Sequence, residues 1–221
     1  TGVVHTARGS FRTPCFMPVG TRAAVRTLTS ADLEKLGAEV ILGNTYHLML
    51  KPGADLIERF DGLHGFADWH GHVLTDSGGF QIFSLEPKVN DEGATFKSTY
   101  DGSYHHLSPE GSVEVQQKLG SDIQMVLDVC PPLPSSEAVV RGALERSVLW
   151  AGRAKAAQAP ARESGSKQAQ FGIVQGGIDV AMRTESAERT LEIGFDGFGI
   201  GGLSVGETRA EMLPALAAVT D

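Results

Sequence analysis

The feature that most restricts the fold is a repeat of short apolar runs, each closing on polar or glycine residues and followed by a segment of helical character. Six such runs stand out: Cys15–Val19, Glu39–Leu42, His72–Leu74, Ile123–Leu127, Phe171–Val174 and Gly197–Ile200. All read as buried strands, and several are apolar on consecutive residues, as in a parallel sheet covered on both faces. The intervening sequence predicts helices over Ser30–Leu36, Pro109–Leu119, Ser136–Ala157 and Val180–Ile193. Ser108-Pro109-Glu110 sets a capping residue, a first-turn proline and an acid where a helix start favours each. Repeated strand-then-helix order is the mark of an α/β fold.

Placement of the polar residues separates two α/β architectures. They cluster just after the apolar runs, at Gly43-Asn44, Thr75-Asp76-Ser77, Asp128, Gln175 and Gly201-Gly202. In a (β/α)8 TIM barrel all of these share one C-terminal rim, whereas in an open doubly wound sheet only those near the switch point would meet. No GxGxxG follows the first run. The expectation is therefore a TIM barrel, with about six β/α units in a single domain over residues 1–221; the full fold usually takes about 250. Between Phe80 and His106 the alternation Thr95–Tyr100 and the turn signal Asp101-Gly102 predict an antiparallel hairpin inserted after the third strand. Gln158–Gln168 reads as a surface loop.

A hydrophobic share of 41% with 21% charged residues predicts a packed core. The net charge of -8 argues against non-specific nucleic-acid binding while leaving room for a local basic patch. Cys15 and Cys130 are the only cysteines, which excludes a disulfide framework and a self-contained zinc knuckle. No apolar run nears the ~20 residues of a membrane span, and the first residues lack a secretory layout, so a cytoplasmic location is expected.

Candidate chemistry sits in four segments. In Leu74-Thr75-Asp76-Ser77-Gly78-Gly79-Phe80-Gln81, a carboxylate at a strand end precedes paired glycines and an aromatic. Asp76 there is either a proton-transfer group or nucleophile, or a cap for the next element. Asp128 ends the apolar run Met125–Leu127 and has a ligand or an ion-pair partner to find. Cys130, with no nearby helix start or histidine to activate it, reads as packing or pocket wall. Gly172–Gly177, with Gln175, and Gly199–Glu207 offer bare backbone beside an amide, which suits a heterocycle edge. His64, His70, His72, His105 and His106 fall in turn-like or exposed segments without a metal-ligand pattern.

Taken in order, Phe16-Met-Pro-Val-Gly-Thr, Leu42-Gly-Asn-Thr-Tyr-His-Leu, Leu74-Thr-Asp-Ser-Gly-Gly-Phe-Gln, Phe171-Gly-Ile-Val-Gln-Gly-Gly and Gly199-Ile-Gly-Gly-Leu-Ser-Val-Gly-Glu resemble the bacterial tRNA-guanine transglycosylase family, also called queuine tRNA-ribosyltransferase. The resemblance implies a TIM barrel that exchanges guanine at the anticodon wobble position for the 7-deazaguanine base preQ1, by double displacement, in queuosine biosynthesis. It assigns Asp76 as general acid/base, held by Asn44, and Phe80 as a stacking platform. Asp128, Gln175 and Gly202 would read the base edges, with Ser77, Gly78, Gly79 and Gly201 in the same binding segments. The Leu203 carbonyl and Glu207 would bear on the aminomethyl group, and Cys130 with Val205 would favour preQ1 over bulkier queuine.

The same resemblance implies a tRNA partner, a homodimer and a structural zinc whose ligands are not in this sequence. It also places the covalent nucleophile and the last two barrel strands after Asp221, so that this stretch alone would not complete catalysis. Val129 stands where many relatives carry an acid. Two other readings compete: a non-catalytic base- or tRNA-binding subunit, against which the retained Asp76 and Asp128 count, and an unrelated barrel hydrolase, disfavoured by only two Trp.

Overall fold

A computed structural model describes residues 1–220. The chain opens with β1 (Gly2–Thr6), β2 (Gly9–Thr13) and the short β3 (Val19–Gly20). Helix α1 (Ser30–Lys35) leads to β4 (Val40–Gly43). Helices α2 (Thr45–Leu50), α3 (Ala54–Glu58) and α4 (Gly62–Ala67) then lead to β5 (His72–Thr75). Next come α5 (Gly79–Phe83), β6 (Lys88–Asn90), β7 (Gly93–Lys97), β8 (Tyr104–Leu107) and α6 (Pro109–Leu119). The order continues with β9 (Ile123–Met125), α7 (Glu137–Glu163), β10 (Ala169–Val174), α8 (Val180–Ile193), β11 (Gly197–Ile200) and α9 (Arg209–Ala217).

Six strands form one parallel sheet in the order β11-β10-β9-β5-β4-β3. The register pairs Gly43 with Thr75, Thr75 with Gln124, and Val174 with Ile200. Parallel pairing in this register brings the residues just after β4, β5, β9, β10 and β11 to one end of the sheet. Val40, Val73 and Ile123 are almost wholly buried in its interior strands, whereas Val19 and Phe198, on the edge strands β3 and β11, stay 52% and 39% exposed. The expectation that all six runs are buried thus fails at the edges, where a strand has a neighbour on one side only.

Helix starts follow local chemistry. Thr29 and Asp32 form a reciprocal capping box, as do Thr208 and Glu211. The Ser108 hydroxyl accepts from the Gly111 N–H ahead of Pro109, and Gly120 ends α6 in the left-handed conformation that glycine adopts without penalty.

Several boundaries differ from those expected. Only Val19 of the run Cys15–Val19 joins the sheet, because Pro14 and Pro18 bring no N–H to a ladder and Phe16 is left 82% exposed. Helix α7 runs through Gln158 and Pro160 to Glu163, so half of the expected loop Gln158–Gln168 is helical. Gln158 is buried there and donates to the Gln168 carbonyl (2.9 Å), fastening the helix end to the returning chain. After β5, the polar insertion is a three-stranded antiparallel sheet, β6-β7-β8. His64 and His72 are buried, contrary to expectation. His64 Nε2 lies 3.1 Å from Asp122 Oδ2, and His72 Nδ1 lies 3.1 Å from Thr6 Oγ1, so both find polar partners inside.

Candidate active site at the strand C-terminal ends

Asn44, the first residue after β4, is the N-cap of α2: its Oδ1 accepts from the His47 N–H while its Nδ2 donates to Asp76 Oδ2 at 2.8 Å. One side chain thus ties a helix start to the acid that follows the neighbouring strand. The other oxygen of Asp76 accepts from the Thr45 N–H (3.0 Å) and the Gly78 N–H (2.9 Å). Burial nevertheless pushes the Asp76 carboxyl up to about 6: desolvation outweighs these hydrogen bonds, and the Asp128 charge adds to the rise. Gly78 sits at φ +83°, and a Cβ there would lie 3.2 Å from the Tyr46 nitrogen, so the turn that brings its N–H to Asp76 requires glycine.

Asp128 and Gln175 form a second buried pair. Gln175 Nε2 donates to Asp128 Oδ2 at 2.6 Å, and its Oε1 has no hydrogen-bond partner. Desolvation raises the Asp128 carboxyl to about 6 as well. Gly201 and Gly202 press against this amide: added Cβ atoms would lie 2.8 Å from Gln175 Nε2 and 2.3 Å from its Oε1. Gly79 packs against the segment that carries Asp128, since a Cβ there would lie 3.2 Å from the Asp128 carbonyl oxygen.

Beside them a cavity of about 330 Å³ is walled by Phe80, Cys130, Ser204 and Val205, with Phe80 64% exposed on the first turn of α5. Desolvation, reinforced by Asp128, drives the Cys130 thiol up to about 11, so it stays protonated at neutral pH. The walls carrying Cys130 and Val205 are joined by the Leu133 N–H donating to the Val205 carbonyl (3.1 Å). Next to that rung a Cβ at Gly206 would lie 2.0 Å from the Leu133 oxygen.

Two expected site residues are engaged with their own loops. Glu207 accepts from the N–H groups of Ser204 and of Val205 (2.9 Å), and these bonds hold its carboxyl below the usual carboxylate range. Ser77 is buried, with its hydroxyl accepting from the Gly79 N–H (3.3 Å). Leu203 is half-buried. Arg183, wholly buried behind Gly201 and Gly202, was not foreseen, since a lone arginine in a mixed helix carries no sequence signal of burial.

A larger cavity of about 990 Å³ lies against the edge strand, with Val3, Phe16, Val19 and Leu36 among its walls and neither Asp76 nor Asp128 in contact with it. Its charged lining groups Arg12 and Glu39 are paired with each other (3.1 Å), so the smaller cavity, whose wall Cys130 adjoins Asp128 and Gln175, is the chemical candidate. Among the described residues no group of three His, Cys, Asp or Glu side chains is arranged to hold a metal ion. No helix among them is long and apolar enough to cross a membrane.

A family model described as queuine tRNA-ribosyltransferase matches residues 1–221. Proteins of that name are similar throughout: 48% identity to the Natranaerobius thermophilus protein over 97% of this chain, 49% to that of Zymomonas mobilis over 98%, and 50% to that of Solidesulfovibrio magneticus over 98%. The chain spans 58%, 56% and 58% of the lengths of these three relatives.

Proposed function

This chain belongs to the queuine tRNA-ribosyltransferase family, and from that premise we propose that its site binds guanine and preQ1 and serves their exchange at the wobble position of tRNA. The observation that carries the reading is the pairing of two desolvated carboxyls, Asp128 buried and Asp76 half-buried, with different surroundings at one end of the sheet. Asp76 is fixed by Asn44, Thr45 and Gly78; Asp128 faces the amide of Gln175.

The chemistry follows from these surroundings. A carboxyl titrating near 6 is suited to proton transfer in both directions near neutral pH. As the acid, Asp76 gives its proton to the departing purine as the bond to the ribose carbon breaks and an enzyme nucleophile other than Asp76 takes that carbon. As carboxylate, it takes a proton from the incoming base as the new bond forms and the bond to the nucleophile breaks. Asp128 accepts from the N1–H and amino group of the base in two parallel hydrogen bonds, an arrangement stronger than neutral pairing. Gln175 then turns its amide from Asp128 to the base carbonyl, and Phe80 covers the flat face. Val205 and the Leu203 carbonyl border the region into which the aminomethyl group of preQ1 extends, with Glu207 fixing that loop.

On the same reading residues 1–221 contribute about six β/α units of a TIM barrel, with β6-β7-β8 as its insertion after the third parallel strand. The whole protein works in the cytoplasm as a homodimer on wobble-guanine tRNA. The structural zinc implied by the family finds no group of three His, Cys, Asp or Glu side chains among the described residues to hold it, and no step above passes through it.

Calorimetric titration with guanine, preQ1 and adenine tests the reading. Guanine and preQ1 are expected to bind and adenine is not, because adenine presents no N1–H to Asp128. Equal binding of adenine would remove Asp128 and Gln175 from base recognition.

A further inference from the structure

Arg183 lies four residues after the Asp179 cap of α8, and none of its surface is exposed. Its four hydrogen bonds all run to backbone carbonyls. Nε donates to Gly177 (2.7 Å), Nη1 to Gly201 (2.6 Å) and Val174 (3.2 Å), and Nη2 to Gly202 (3.0 Å). Burial lowers its pKa only to about 10, so the group is a cation at neutral pH. A buried cation bonded only to carbonyls is an unfavourable way to fix a fold, which points to a use beyond stability.

Those carbonyls belong to the two segments that carry Gln175 and the glycine pair. In a trans peptide the C=O and the following N–H point in opposite directions. With the Gly201 and Gly202 oxygens turned onto Arg183, the N–H groups of Gly202 and Leu203 point away from it. The Gly202 N–H bears on Cys130, a wall of the cavity beside the carboxyls. The start of the helix that carries the arginine is equally constrained: Gly176 has φ +132°, and a Cβ there would lie 2.8 Å from the backbone nitrogen of Arg183.

We propose that Arg183 is a positioning residue for base recognition: its guanidinium holds the Gly201 and Gly202 carbonyls back, so that the Gly202 and Leu203 N–H groups are aimed into the pocket before a base arrives. The inference rests on the reading of this pocket as a guanine site. Its ligand class is a purine with a carbonyl at C6, which those N–H groups would meet. Lysine is no equivalent, because a point charge on a flexible stem cannot grip four carbonyls in a planar fork.

The test is calorimetry of guanine and 6-thioguanine with the wild type and Arg183→Lys. Both ligands keep the N1–H and amino edge, but sulfur is the weaker acceptor at C6. Arg183→Lys is expected to weaken guanine by about tenfold and 6-thioguanine by less, narrowing the preference between them. An equal loss for both, or no loss, would show Arg183 to be merely structural. Should the variant not fold, 15N order parameters of Gly202 and Leu203 in the ligand-free wild type decide. Values near about 0.85 support a preset loop and values below about 0.6 overturn it. Failure of the wild type to bind guanine refutes the pocket reading and the recognition role together, whereas an unchanged preference in Arg183→Lys refutes the role of Arg183 alone.

Discussion

The Nδ2 of Asn44 donates to Oδ2 of Asp76 across 2.8 Å, joining the ends of two adjacent parallel strands. An amide donor favours the charged form of the acid, so Asn44→Ala is expected to raise the Asp76 pKa further. On the proposed function, the acidic limb of the complete protein's pH profile for base exchange should move to higher pH, with at least about a tenfold loss of rate, the lower end of what a hydrogen bond to a charged group is worth. A profile that keeps its midpoint would separate Asn44 from the titration of Asp76.

On the proposed function, Asp76→Asn in the complete, active protein removes the proton that the exchange requires while leaving the Asp128 edge intact. Labelled-guanine incorporation into tRNA should fall by at least about a hundredfold, the lower range for loss of a general acid/base, with guanine affinity changed little. Retained incorporation would place the acid/base elsewhere.

Asp128→Asn should stabilise the protein at neutral pH. The folded-state value of about 6 lies above the ordinary 3.8, so the folded protein holds this proton more tightly. The stabilisation from Asp128 is therefore complete below about pH 4 and is lost as pH rises through 6. Above that window the uncharged amide avoids a penalty of the order of 3 kcal/mol, at about 1.4 kcal/mol per pH unit of the rise from 3.8 to about 6. Denaturant unfolding at pH 4 and pH 8 checks the sign: the gain should appear at pH 8 and vanish at pH 4.

Gly202→Ala meets two obstacles at once, φ +63° and a Cβ position 2.3 Å from Gln175 Oε1. Left-handed backbone alone disfavours alanine by about 1 kcal/mol. A lower Tm and a guanine affinity weaker by at least about tenfold are expected, since Gln175 must move to admit the methyl. An unaltered affinity would mean that Gln175 does not fix the base.

The thiols should respond unequally to an alkylating reagent at pH 7.5. Cys15 is exposed, whereas Cys130 is half-buried with its thiol raised to about 11. Mass spectrometry of partly modified protein should find the label on Cys15 first, and a label on Cys130 first would contradict the protonated state assigned to it.

The parallel strands were legible because burial on both faces leaves consecutive apolar residues, as at Val73-Leu74 and Val40–Leu42. Helices α6 and α8 were legible to the residue because Ser108, Pro109 and the glycines that follow each helix punctuate them. The β1–β2 pair was not, since Gly2–Thr6 and Gly9–Thr13 are largely exposed and carry little apolar alternation. Helices α2 to α5 were missed because five or six residues give barely more than one turn and no periodicity to read; α1, equally short, was legible through its Thr29 cap. Among site residues, Asp76 and Asp128 drew notice as acids closing apolar runs. Arg183 drew none, because its partners are carbonyls, which every residue has and no motif records.

The rung from Leu133 to Val205, with Gly206 packed against it, couples the two cavity walls. Opening for a larger guest would cost that bond and its packing. Carving atoms from the lining, residue by residue, avoids the cost, so a change of preferred base would be written in side chains such as Val205 and not in the course of the backbone.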